Sequence, residues 1–218
     1  MFKTCAILGK RSLNPKEVSV KHLSNEMTKA TFIPVEMDTA ITAGELILKS
    51  IGEDLNREGL LKTPERFAKA LREITAGYNI TPEEAVGNGI FQGEGKGLVS
   101  VKDIDFFSLC EHHMLPFWGK VSVAYYPNNN IVGLSKIPRL VEVFARRLQV
   151  QERLTKEIAS SLCRLIGARA VAVKVSGQHM CMIMRGVKKT GSVTITEFSV
   201  GLENLTEGEI NRMWNSIG

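Results

Sequence analysis

The sequence predicts an α+β protein, with a helical N-terminal region over residues 1–95 and, over 96–218, an antiparallel four-stranded sheet carrying two helices on one face. Two observations carry this. Before residue 87, apolar residues recur at helical spacing and two Thr-Pro-Glu triplets mark helix starts; after residue 97, the order reads strand, strand, helix, helix, strand, strand.

Residues 1–37 carry little pattern beyond a helix expected at about Lys16 to Thr28, ended before Pro34. From Thr39 to Arg57, Ile47, Ile51 and Leu55 repeat at helical spacing, and Gly59 is placed to end that helix. Thr63-Pro64-Glu65 and Thr81-Pro82-Glu83-Glu84 each offer an N-cap threonine, a proline at the first helical position and acids in the first turn; the second also fits a capping box. The five glycines between Gly87 and Gly97 lack both phosphate-loop and dinucleotide spacing, so that stretch reads as a flexible connector between two units. Strands follow at 98–107 and 119–126, with a turn at Pro127 to Asn130. Helices at 136–148 and 151–166 carry the apolar stripes Ile137, Leu140, Val141, Phe144, Leu148 and Leu154, Ile158, Leu162, Leu165, Ile166. The last strands run over 170–181 and 192–200. Such a sheet leaves its other face and both edges in need of cover, and oligomerisation is the expected cover.

Composition bounds the function. A chain of 218 residues with 44% hydrophobic content buries one good core. No apolar run approaches the roughly 20 residues that cross a bilayer, and the first residues are too soon charged for a secretory signal. Four cysteines without a disulfide framework fit a reducing compartment, the cytoplasm by default. The +5 charge is dispersed and aromatics are only 6%, which argues against a nucleic-acid surface and suits a small polyanionic substrate.

The chemistry concentrates in Cys110-Glu111-His112-His113 and His179-Met180-Cys181, which hold three of the four histidines. Cys110, His113 and Cys181 would give a Cys₂His set for Zn²⁺ with a fourth position left for water, and His112 and His179 remain as proton carriers. Val171, Val173, Val175, His179 and Cys181 share one parity, so an uninterrupted strand would point them to one face. The pattern alone also admits a structural zinc whose shell His112 or His179 closes. Cys163, inside an apolar helical stripe, and Cys5 read as small buried hydrophobes.

Two helix starts add binding chemistry. Ser135-Lys136-Ile137-Pro138-Arg139 places a serine at the N-cap and two cations beside free backbone N–H groups, a seat for phosphate that Arg185 can join; the bland reading is a capped helix with solvated cations. Gln151-Glu152 offers an amide and a carboxylate able to read a purine edge, or simply a good first helical turn.

The runs Ser108-Leu-Cys-Glu-His-His-Met-Leu-Pro-Phe, Gly133-Leu-Ser-Lys-Ile-Pro-Arg, Gln151-Glu-Arg-Leu-Thr and Gly177-Gln-His-Met-Cys-Met-Ile-Met-Arg-Gly-Val, in that order, resemble the zinc-dependent GTP cyclohydrolase I family. The resemblance covers about residues 40–200, including Gly59-Leu-Leu-Lys-Thr-Pro-Glu-Arg. It implies a tunnelling fold, in which the sheets of several subunits join into a barrel, as a homodecamer of two pentameric rings with active sites at subunit interfaces. It implies conversion of GTP and water to formate and 7,8-dihydroneopterin triphosphate, the entry step to folate or tetrahydrobiopterin. By similarity, Cys110, His113 and Cys181 hold Zn²⁺; Gln151 and Glu152 hold guanine; Lys136, Arg139 and Arg185 hold the triphosphate; Ser135, His112 and His179 handle protons. His179 is then the main acid toward N7 of the purine and His112 its partner, with Ser135 and His112 near the ribose. The rival readings are a related tunnelling-fold enzyme on another purine or pterin, and a non-catalytic nucleotide-binding zinc module.

Overall fold

Alternating side chains build the sheet on which everything else is hung. The computed structural model describes residues 36–93, 95 and 97–218; the helix expected at about Lys16 to Thr28, and Cys5, lie outside them. In chain order the helices are α1 (Met37–Ser50), α2 (Thr63–Ile74), α3 (Pro82–Val86), α4 (Lys136–Ala145), α5 (Gln151–Ile166), α6 (Met180–Ile183) and α7 (Glu207–Ile217). The strands are β1 (Ile90–Gln92), β2 (Val99–Cys110), β3 (Pro116–Tyr126), β4 (Asn130–Val132), β5 (Leu148–Gln149), β6 (Ala170–His179) and β7 (Thr194–Val200). The main sheet has the order β5-β2-β3-β6-β7, with β2, β3, β6 and β7 antiparallel and β5 a two-residue parallel addition. The four expected strands and two covering helices are present, and β5 is a fifth strand that the sequence does not announce.

One face of the sheet is the core. Val121, Val123, Val171, Val173 and Val175 meet Ile137, Leu140, Val141 and Phe144 of α4 and Leu154, Ile158, Leu162 and Ile166 of α5, all buried. Fully burying each Leu, Ile or Val contributes roughly 1.5–3 kcal/mol, so these two stripes fix the helices on the sheet. Cys163 sits at the edge of this core, its thiol against the Ala168 carbonyl at 3.7 Å and pushed up by burial, as a small hydrophobe should be. On the opposite face, Ala124, Tyr126, Ala170 and Ala172 are covered by Met213 and Ile217 of α7. A capping box starts α7, with Thr206 Oγ1 accepting from the Glu209 N–H and the Glu209 carboxylate accepting from the Thr206 N–H. The sequence reading gave that face to oligomerisation alone and missed this helix.

Several boundaries move, each for a local reason. α1 ends at Ser50, not near Arg57, because Gly52 at φ +84° closes a Schellman turn: its N–H donates to Lys49 and that of Glu53 to Leu48. Gly59 does not end it. Ile47 and Ile51 are exposed, and α1 instead packs through Ala40 and Gly44, the latter against Pro64 and Phe67 of α2. Thr63 is already helical and donates to the Gly59 carbonyl, so it is not an N-cap, whereas Thr81 forms the full capping box expected of it. The glycine-rich stretch is not a free connector, since β1 within it pairs with β4 and Gly93 packs on Ile131. Leu148 belongs to β5 rather than to the preceding helix.

The corner that carries β5 is braced by the 3₁₀ turn Ala76–Asn79. Arg147 donates through Nε and Nη2 to the Gly77 carbonyl, and the Leu148 N–H donates to the Tyr78 hydroxyl. A Cβ on Gly77 would stand 2.4 Å from the Val143 carbonyl and 2.8 Å from that of Arg146, both backbone. Gly77→Ala should therefore lower stability by about 1–3 kcal/mol, read as a fall in the denaturant midpoint. An unchanged midpoint would show that the turn is not docked on this corner.

Candidate active site

Three strand ends converge on one cleft. Cys110 closes β2 beside Gln149 of β5, and His179 closes β6 opposite Phe117 of β3. After Cys110 the chain folds back: the Cys110 carbonyl accepts from the His113 and Met114 N–H groups, and Met114 takes a left-handed φ of 53°. His113 returns over the strand end, its Nδ1 3.7 Å from Cys110 Sγ.

Cys181 arrives differently from the sequence expectation. β6 stops at His179 because its partner β3 begins at Pro116, which has no N–H to extend the ladder. Cys181 lies in the single turn α6, not on a continued strand, so the parity argument does not place it. Its sulfur nevertheless joins the others: one ligand atom each from Cys110, His113 and Cys181 lie within 4.8 Å of one another. Tetrahedral Zn²⁺ with S and N ligands separates its donors by about 3.5–3.8 Å, so the trio closes around such an ion with small adjustments. Burial, then the neighbouring Cys110, push the Cys181 thiol up, while Arg185 acts the other way. A divalent cation between the two sulfurs removes that penalty, and the donor set fits zinc.

The cleft, of about 230 Å³, is lined by the trio, His112, His179, Gln151 and Glu152, together with Gln149, Val150, Met182 and Thr194. His112 is exposed, its Nδ1 3.9 Å from Cys110 Sγ. His179 stacks flat on Phe117, with centroids 4.6 Å apart and planes 4° apart, and burial lowers its pKa against the opposing pull of Glu152.

Gln151 is 2% exposed and its amide is fully engaged. The two hydrogens of Nε2 are shared among the Val175 and Thr194 carbonyls and Thr196 Oγ1, which leaves Oε1, 2.9 Å from His179 Nε2, as an acceptor only. Thr155 donates to the Gln151 carbonyl and contacts Thr196 at 2.6 Å, closing the network. Neutral His179 therefore carries its hydrogen on Nε2 and its lone pair on Nδ1. A Cβ on Gly177 would fall 2.4 Å from Gln151 Oε1, so this packing needs glycine there.

The expected phosphate seat is not in this cleft. Ser135 is exposed, helical in its backbone, and makes no side-chain cap. The Lys136 stem runs over Gly89, and Arg139 lines a separate cleft of about 500 Å³ with Glu73, Glu84 and Glu142. Arg185 lies on the exposed turn after α6. Within one chain the metal trio, both proton carriers and Gln151-Glu152 are brought together, and Ser135, Lys136, Arg139 and Arg185 do not line their cleft. Phe117, Thr194 and Thr196 were missed by the sequence reading, although Phe117 ends one of its motifs; Gln149 carried no signal, because β5 is only two residues long.

The tautomer is open to measurement. Long-range ¹H–¹⁵N spectra above the titration of His179 should show Nε2 protonated and Nδ1 bare in the wild type, and Gly177→Ala should disturb that pattern. A bare Nε2 in the wild type would mean that the Gln151 amide is turned the other way.

Comparison with known proteins places the chain. Residues 40–217 match the family model described as GTP cyclohydrolase I. A GTP cyclohydrolase 1 of Chlorobaculum tepidum is 56% identical over 155 residues, 71% of this chain and 69% of that protein. One from Chlorobium phaeovibrioides is 49% identical over 185 residues, 83% of each, and one from Drosophila melanogaster is 51% identical over 72% of this chain and 48% of its own length. Among solved structures, the archaeosine synthase QueF-Like in the apo form overlaps 50% of this chain and 97% of its own at 17% identity, with a TM-score of 0.38. With a family model spanning nearly all the described residues, and relatives at about half identity that carry the same name, this chain belongs to the GTP cyclohydrolase I family.

Proposed function

We propose that the protein is a zinc-dependent GTP cyclohydrolase I, which converts GTP and water to formate and 7,8-dihydroneopterin triphosphate. The observation that carries this reading is the meeting, in one cleft of a member of this family, of Cys110, His113 and Cys181 with His112, His179, Gln151 and Glu152. When bound, zinc lowers the pKa of a coordinated water toward 7 and so supplies a nucleophile at neutral pH.

The side chains divide the remaining work. Glu152 stands in the first turn of α5 with its carboxylate on the cleft, ready to accept from the N–H groups of a guanine edge. Gln151 borders the same edge, and its side chain holds the His179 ring. His179 acts as the acid in its protonated form: Nε2–H stays on Gln151 while the Nδ1 proton passes to N7 of the purine, which makes C8 electrophilic, and the stack on Phe117 keeps the ring aimed. His112, exposed at the cleft mouth, relays protons to solvent and, with Ser135, serves the ribose steps that follow ring opening. Lys136, Arg139 and Arg185 neutralise the triphosphate.

That these cations and Ser135 lie outside the metal cleft of one chain supports a site completed between subunits. The exposed Leu46, Ile47, Ile51 and Leu61 on and beside α1 and α2, and Phe107 and Ile195 on the sheet, offer apolar surface for such an assembly. We assign a homodecamer of two pentameric rings, its sheets joined in a tunnelling-fold barrel, with the catalytic machinery on residues 96–218 and a cytoplasmic location. Among the described residues no helix is long and apolar enough to cross a membrane.

Zinc-loaded protein incubated with GTP should release formate and develop pterin fluorescence. His179→Ala should lower kcat by about 10²–10⁴-fold, the usual contribution of a positioned acid. Cys110→Ser should abolish turnover while the assembly persists in sedimentation, and chelation should abolish it reversibly. Tight GTP binding by the wild type without formate would instead make this a non-catalytic nucleotide module.

A further inference from the structure

Two residues inside the motifs take no part in the chemistry above. Glu111 stands between Cys110 and His112, and Arg153 follows Glu152; neither lines the cleft. They meet beside it. Arg153 Nη1 donates to Glu111 Oε2 at 2.6 Å and Nη2 to Oε1 at 3.1 Å, a two-pronged fork that fixes orientation as well as distance. The Glu111 N–H also donates to the Gln149 carbonyl at 3.0 Å. Beside these contacts, the short parallel ladder pairing Leu109 with Leu148 and Cys110 with Gln149 joins the turn bearing Cys110 and His113 to the approach to α5.

The pair is poorly explained as a stability device. Its side chains are 46% and 31% exposed, and ion pairs of that kind add little to folding. A cation in the first turn of a helix also works against the helix dipole, which favours acids there. What the pair does is join the turn carrying two metal-binding candidates to the turn carrying Gln151 and Glu152.

We propose that Glu111 and Arg153 form a positioning clamp, which sets the separation between the metal-binding turn and the purine-binding start of α5. This rests on the proposed reaction: a purine gripped by Glu152 must present C8 to the metal-side nucleophile, and a small misplacement of reacting atoms costs rate steeply. Lysine at 153 keeps the charge and loses the fork, so it separates geometry from electrostatics.

The test uses the zinc-loaded full chain with GTP and reads kcat and KM separately, beside zinc affinity by chelator competition and the unfolding midpoint. R153K and E111Q should each lower kcat by about tenfold or more, with KM changed less. Zinc affinity and the midpoint should stay at wild-type values. The double variant should be no worse than the poorer single one, because the two residues act as one unit. E83Q is the control: it removes the Arg164–Glu83 pair, also 2.6 Å long, at the other end of α5, and should leave kcat and KM unchanged. Wild-type kcat in R153K, additive losses in the double variant, or losses tracking zinc affinity or the midpoint would each overturn the clamp. An inactive wild type would instead overturn the reaction on which it rests.

Discussion

The register of the central ladder is the constraint on which this site depends. Phe117 pairs with His179 at the last rung between β3 and β6, while Cys110 pairs with Gln149 at the last rung between β2 and β5. Those rungs bring a thiol, an imidazole and the approach to α5 to one end of one sheet. A slip of one residue would turn His179 to the opposite face and carry it away from both Gln151 and Phe117. The register is held where the energy is greatest, by the valines of β3 and β6 packed beneath α4 and α5.

From that frame the polar groups follow in sequence. Buried donors need acceptors, and the Gln151 amide finds them on β6 and β7, which leaves its oxygen to face His179. The histidine is thus oriented through a side chain that the fold itself immobilises. Gly177 makes room for this arrangement, since any Cβ there would collide with the Gln151 oxygen. Cys110 at the end of its ladder and Cys181 in the turn just past β6 bring two sulfurs close, a pair whose repulsion a bound cation would relieve.

Much of this was legible in the sequence because it depends on period and spacing. The α4 and α5 stripes, the capping box at Thr81 and the grouping of Cys110, His113 and Cys181 follow from patterns that local chemistry enforces. The misses have equally local causes. The turn α6 carries no signal of its own, because the parity of Val171, Val173 and Val175 extends through His179 to Cys181 in the sequence, whereas the ladder stops for want of a donor at Pro116. β5 is too short to carry a period, whereas the start of α7 is legible in the capping-box pair Thr206 and Glu209. Gln151 looked like a free purine reader, and only the three-dimensional structure shows its amide spent on the sheet. Ile47 and Ile51 carry the helical spacing, yet both are exposed and α1 packs instead through Ala40 and Gly44, small residues that a search for apolar period passes over.

The central claim is an open Cys₂His metal site that works beside His179. X-ray absorption at the zinc edge of the metal-loaded protein tests it most directly. An open site gives two sulfur neighbours at about 2.3 Å, one imidazole nitrogen and one light, exchangeable atom in the fourth position, with the same set retained in His179→Ala and His112→Ala. A closed shell of two sulfurs and two imidazoles, opened by either histidine substitution, would contradict it and make the metal structural.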